Sequence, residues 1–129
     1  MAAIDTLEII SPGIMTSVQD LGRYGSGRFG VAPSGALDSF SLRVANLLVG
    51  NREDQACLET MLLGPGIRFL TEAVIAVTGG DLQPKRNRQP IAMWRSTAFK
   101  KDDVLSFGSA INGFRAYIAV AGGIGVPRV

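Results

Sequence analysis

The sequence predicts a mainly β fold, an antiparallel barrel or sandwich carrying one principal α-helix. Beyond residue 56, short apolar or alternating runs recur at near-regular spacing, and glycine, proline and aspartate turns separate them. Only the segment 36–49 repeats its apolar residues at helical spacing. Strands and helices do not interleave, as a parallel sheet with crossover helices would require. The 129 residues, 47% of them apolar, suit one compact domain with a real core.

Taken in order, Leu7 and Ile9, then Ile14 and Val18, flank the turn Ser11-Pro12-Gly13 and predict two strand-like segments. Residues 22–35 are too rich in glycine and proline for a regular element and predict a long, shaped loop. In Ala36–Val49, Leu37, Phe40, Val44, Leu47 and Leu48 form one apolar face of a helix. Asp38 and Ser39 supply acceptors near its start, and Gly50 is placed to end it in the left-handed conformation. Strands are then expected at Ala56–Leu63, Ile67–Leu70, Ala73–Thr78, Ile91–Arg95, Val104–Phe107 and Arg115–Ala121. Cys57, Trp94 and Phe107 read as core residues.

Composition narrows the chemistry. The net charge of +2 comes from 13 scattered Lys and Arg, with local clusters only at 85–88 and 100–101. Such clusters read as solvated turns, and no nucleic-acid partner is expected. The absence of histidine removes Ser-His and Cys-His nucleophile pairs. One cysteine makes neither an internal disulfide nor, without histidine, a tetrahedral zinc site, so no metal is expected. Acidic Asp5 and Glu8 stand where a signal peptide would be basic and then apolar. The longest apolar runs, near 73–77 and 117–121, fall far short of the ~20 residues of a membrane helix. The expectation is a soluble, cytoplasmic chain.

Three motifs bear on function. Gly25-Ser26-Gly27-Arg28-Phe29-Gly30 satisfies Gly-x-Gly-x-x-Gly, but another turn follows it before any helix begins, so a dinucleotide site is disfavoured. Thr78-Gly79-Gly80-Asp81 ends an apolar strand. Its glycines could turn amides toward an anion while Asp81 acts on substrate, or Asp81 could simply cap its own turn. Asp20 and Arg23, three apart, could pin the loop as an ion pair, or Arg23 could grip a substrate carboxylate. Glu59 reads as a carboxylate on a strand, partly buried or on an exposed face.

Several strings occur together and in order: Ser11-Pro12-Gly13, Thr16–Arg23, Ser34–Asp38, Ala45–Asn51, Leu58-Glu59-Thr60, Gly64-Pro65, Thr78–Asp81, and Arg115-Ala116-Tyr117 through Ile124. Together they resemble the biotin-dependent carboxyltransferase-like family, whose members include the C subunit of 5-oxoprolinase, allophanate hydrolase subunit 2, the carboxyltransferase part of urea carboxylase, and the regulator KipA. The resemblance implies a cyclophilin-like β-barrel, of which residues 1–129 are the N-terminal part. It also implies function within a complex with a B-subunit-like (allophanate hydrolase subunit 1-like) protein and an A subunit, on a small amide or lactam. ATP or biotin would act through that complex, and neither is expected on this chain itself.

On this reading the catalytic residues fall at Asp20, Arg23 and Asp81, and the substrate-binding residues at Ser34, Asp38 and Glu59. The leading expectation is a component of an ATP-dependent 5-oxoprolinase, inactive alone. Its rivals are carboxyl transfer to urea or a related amide, and non-catalytic binding of a kinase-inhibitor protein.

Overall fold

The computed structural model describes residues 7–11, 17–19, 38–61 and 63–123. Among them are ten strands and one helix: β1 (Leu7–Ser11), β2 (Ser17–Gln19), α1 (Ser39–Leu48), β3 (Cys57–Met61), β4 (Gly66–Phe69), β5 (Ala73–Asp81), β6 (Lys85–Arg86), β7 (Gln89–Pro90), β8 (Ser96–Phe99), β9 (Val104–Ser106) and β10 (Asn112–Val120). They form two antiparallel five-stranded sheets, β1-β4-β9-β6-β7 and β2-β3-β10-β5-β8. The fold is mainly β with one helix. Pairing among the described strands leaves each sheet open at its edges, an arrangement compatible with the cyclophilin-like architecture.

The long strand β10 separates two hydrophobic layers. Its residues Ala116, Ile118 and Val120 join Leu58, Ile67, Phe69, Ile75, Val77, Leu82, Phe99 and Leu105 in the core between the sheets. The alternate residues Tyr117 and Ala119 pack instead with Leu42, Ala45 and Cys57, under α1. This follows from the period of two along a strand, which sends neighbouring side chains to opposite faces. The result is three layers: sheet, sheet and helix.

Helix α1 ends as its sequence suggests but starts at Ser39 rather than Ala36, because Asp38 is its N-cap, and it buries a different face. Asp38 is the N-cap: its Oδ1 accepts from the Ser41 N–H at 3.0 Å and its Oδ2 from the Ser41 hydroxyl at 2.6 Å. Gly50, at φ +81°, follows the last turn in the left-handed region. The buried residues are Ser41, Leu42, Ala45 and Asn46. Of the apolar stripe, Phe40 and Leu47 are 67% and 57% exposed and Val44 and Leu48 are half-buried, while Leu37 lies outside the described residues. The reason is polar: the sheet beneath needs partners that an apolar face lacks. Thr78 donates its hydroxyl to the Ser41 carbonyl at 2.7 Å. Fully buried Asn46 donates to the carbonyls of Glu53 and Gln55 at 3.2 and 2.8 Å. Asn51 extends this bolt, donating to the Val120 carbonyl and accepting from the Gly122 N–H, both at 2.8 Å.

Two expectations are corrected. Ile91–Arg95 is not a strand. Trp94 adopts φ +61° in a turn and donates its N–H to the Val77 carbonyl at 2.8 Å, and the strand follows at Ser96–Phe99. The continuous apolar run Ile91–Trp94 mimicked a buried strand, but the left-handed residue bends the chain out of register. Trp94 is accordingly not core: it is 40% exposed, and its ring lies 6.2 Å from that of Phe40. Phe107 packs against the inter-sheet core as expected. The basic segment 85–90 is a tight hairpin whose turn residues Asn87 and Arg88 both have positive φ.

The inverted helix face can be checked directly. Leu42→Ala should destabilise the protein by about 2–5 kcal/mol in denaturant unfolding, as for other fully buried leucines. Leu47→Ala on the outer stripe should change stability by no more than about 0.5 kcal/mol. Equal losses would mean that the stripe is buried after all.

Candidate functional site

Glu59, Tyr117 and Thr78 form a polar row across three adjacent strands, on the face that α1 covers. The register places Tyr117 opposite Glu59 of β3 on one side and Thr78 of β5 on the other. All three are buried. The Tyr117 hydroxyl donates a short hydrogen bond to Glu59 Oε2 and accepts the Asp38 N–H at 3.0 Å. The phenol therefore joins a buried carboxylate to the first exposed amides of α1, where the helix dipole is positive. Ser17 of β2 lies opposite Glu59 and extends the row to the sheet edge.

Burial, and next the hydrogen bond to Glu59, push the Tyr117 phenol well above its usual range, against weaker pulls from the Asp38 N–H and the Arg115 charge. The phenol is thus a neutral donor fixed on Glu59. Cys57 sits in the same layer. Desolvation raises its thiol to about 12 despite a hydrogen bond with Asn46, so it is a packing residue without nucleophilic character.

Arg115 lies two residues before Tyr117 and opposite Met61. Its Nη2 donates to Met61 Sδ at 3.2 Å, while Nη1 is sealed from solvent with no acceptor. Its position depends on a local irregularity. Residues 113–115 of β10 lie opposite the single residue Gly80 of β5, because pairing jumps from Asn112–Asp81 to Ala116–Gly79. Such bulges bend a strand and re-aim its side chains. Gly79, at φ +93°, permits this one: a Cβ there would stand 2.6 Å from the Arg115 carbonyl oxygen.

The residues nominated from sequence divide clearly. Asp20, Arg23 and Ser34 lie outside the described residues. Asp38 and Glu59 are brought together through Tyr117, although the Asp38 carboxylate itself is engaged in capping α1. Asp81 stands three residues along β5 from Thr78, about 10 Å at strand rise. Its Oδ1 accepts from the Gln83 N–H at 2.8 Å, the turn-capping role. Gly79 and Gly80 lie within β5 and serve the bulge opposite β10. Among the described residues no group of three or more His, Cys, Asp or Glu could hold a metal ion. No helix among them is long and apolar enough to cross a membrane.

Tyr117, Thr78 and Arg115 were not nominated. Their signal is visible in retrospect. Arg115 and Tyr117 occupy alternate positions of an otherwise apolar strand, and Glu59 does the same in β3. Polar residues repeating at a period of two on buried strands share one face and need one another as partners.

Comparison with known proteins adds family context. Residues 29–129 match the family model described as the carboxyltransferase domain, subdomain A and B. The urea amidolyase of Lachancea kluyveri is 44% identical over 122 residues, 94% of this chain and 7% of its own length. The 5-oxoprolinase C subunit of Escherichia coli is 38% identical over 123 residues, 95% of this chain and 40% of its own length. The crystal structure of the Kluyveromyces lactis urea carboxylase superposes with a TM-score of 0.90 at 46% identity, covering 96% of this chain and 11% of that one. This chain therefore spans less than half the length of these relatives.

The phenol–carboxylate pair has a measurable pH signature. Below about pH 10, the ordinary tyrosine value, Tyr117 is neutral folded and unfolded, and its contribution to stability is intact. Above it the unfolded state loses the proton first, so stability falls as pH rises toward the higher folded value. Tyr117→Phe should flatten that alkaline decline and, at neutral pH, cost about 1–3 kcal/mol by removing the acceptor of the Asp38 N–H and the hydroxyl donor to Glu59. An unchanged alkaline slope would show that the phenol titrates normally.

Proposed function

Because the chain belongs to the carboxyltransferase domain, subdomain A and B, family, we propose that it is a component similar to the 5-oxoprolinase C subunit and that it handles a small lactam or amide within a larger assembly. The observation that carries this reading is the Glu59–Tyr117 pair beneath the N-terminus of α1. A carboxylate fixed on a rigid strand by a neutral phenol is a defined acceptor for an amide or lactam N–H. It is also a group able to take a proton from an attacking water and return it to the leaving nitrogen when the amide C–N bond breaks. Two relatives named as the C subunit of 5-oxoprolinase, at 38% and 33% identity, support a partnered role, since one subunit implies others. The partner is a B-subunit-like protein, with an A subunit supplying the ATP-dependent step. Asp20, Arg23 and Ser34, together with Asp81 at the end of β5, are further substrate-handling groups.

A second reading, carboxyl transfer to urea or a related amide, is favoured by the higher identities, 44% and 43%, to two proteins named urea amidolyase. The same Glu59 acceptor would serve a urea N–H.

The two readings separate by assay of the protein with its co-purifying partners, against 5-oxoproline plus ATP and against carboxybiotin plus urea. ATP-dependent release of glutamate from 5-oxoproline is expected. Turnover with urea alone would replace the first reading with the second. In the active assembly, Glu59→Gln and Arg23→Ala should each lower turnover about tenfold or more, as expected for loss of a charge-assisted contact. Arg88→Ala, in the exposed hairpin turn, should leave it unchanged. Similar effects of all three would remove Glu59 and Arg23 from the site.

A further inference from the structure

Among the described residues of this site, Arg115 is the group whose hydrogen-bonding capacity is visibly incomplete. A guanidinium stays charged at any pH a protein survives, and it carries five N–H donors in a planar fork. Here one edge reaches only a thioether, a weak acceptor, and Nη1 reaches nothing while shielded from water. None of the ion pairs among the described residues includes Arg115. Arg115 as a residue is half-buried, but its Nη1 is shut off from water. Buried donors are almost always satisfied, so an orphan donor of this kind marks a place where a bound group supplies the acceptor. The bulge opposite Gly80 and the positive φ of Gly79 add a second indication, because they are devices that aim the Arg115 segment.

Arg115 and Glu59 are diagonal neighbours across β10 and β3, since Tyr117 opposes Glu59 and Arg115 opposes Met61. Diagonal pairs of this kind are about 7–8 Å apart at the backbone, within joint reach of two long side chains. They present a cationic donor beside an anionic acceptor. Resting on the lactam reading above, we propose that Arg115 receives the carboxylate of the substrate while Glu59 accepts its ring N–H. The site thereby selects carboxylate-bearing lactams over neutral amides. In 5-oxoproline the N–H and the carboxylate branch from adjacent atoms, which matches one ligand to both side chains. Urea offers N–H donors to Glu59 but brings Arg115 only a neutral carbonyl oxygen, a weaker acceptor for a charged donor.

The test uses the 129-residue protein, with calorimetric titration and thermal unfolding in 5-oxoproline, in 2-pyrrolidinone, the same lactam without the carboxylate, and in millimolar urea. The wild type should bind 5-oxoproline about tenfold or more tightly than 2-pyrrolidinone, the size of effect expected from a charged hydrogen bond. Arg115→Met should abolish that difference and leave the ligand-free protein at least as thermostable as the wild type, because it removes a buried donor that lacked an acceptor. Arg115→Lys, which keeps the charge but loses the fork, should fall between them. Equal binding of the two lactams would overturn the role of Arg115 while leaving the lactam reading intact. Binding of urea without 5-oxoproline would overturn the lactam reading itself. Failure of all three ligands to bind also overturns the proposal, and the assay of the assembled complex then decides independently whether the lactam reading falls with it. A large loss of thermostability in Arg115→Met would assign the residue to packing instead.

Discussion

The hydroxyl of Tyr117 is where the layers of this protein meet. It sits on the central strand of one sheet, donates across to a carboxylate on β3 and accepts the backbone amide that opens α1. A buried phenol must find both a donor and an acceptor or oppose folding. That requirement fixes where the helix starts over the sheet and which way Glu59 turns. Everything on the helix-facing side is arranged around it. Thr78 holds the first turn of α1 from the other flank, and Asn46 and Asn51 lock its last turn to the end of β10. The helix is thus pinned at both ends by polar contacts, with a thin apolar seam of Leu42, Ala45, Cys57 and Ala119 between them.

The same requirement explains why part of the sequence could be read and part could not. Turn chemistry and strand periodicity are local, so the strands at 57–61, 66–69, 73–81, 104–106 and 112–120 were legible from composition alone. So was the end of the helix at Gly50, a matter of one residue's left-handed preference. Which face of α1 is buried is not local. The apolar stripe is the strongest pattern in the helix, yet its described residues Phe40 and Leu47 lie outward and Val44 and Leu48 are only half-buried, because the sheet beneath presents a threonine and a tyrosine that need polar partners. Amphipathicity therefore located the helix and misassigned its inner side. The segment 91–95 failed for a related reason. A left-handed tryptophan is not visible in a continuous apolar run, and only the backbone hydrogen bond to Val77 reveals the bend.

The site divides along the same line. Glu59 could be picked out as a carboxylate within a strand, and the family resemblance marked Asp38, but their connection runs through Tyr117, 79 residues from Asp38 in sequence. No spacing rule encodes a partner brought by sheet register. Only the alternation of Arg115 and Tyr117 in β10, read against Glu59 and Met61 in β3, carries that information. It becomes usable once the two strands are known to pair.

Thr78-Gly79-Gly80-Asp81 shows how a motif can act through its backbone. Two consecutive glycines at a strand end suggested amides turned toward a ligand. In the fold they stay inside β5, and what they provide is room: the Gly79 backbone turns left-handed, and the Arg115 carbonyl fills the space where any other residue would carry its Cβ. The glycine thus acts on the site at one remove, by letting β10 bulge and so setting the strand that carries Arg115. An alanine at 79 would face strain in its backbone angle and a clash with that carbonyl together. The response would be either loss of the β5–β10 pairing or a shift of the bulge, and each displaces Arg115 relative to Glu59. The geometry of the polar row therefore depends on a residue with no side chain at all. Its influence is exerted through backbone conformation, the one property that a search for chemically reactive residues leaves out.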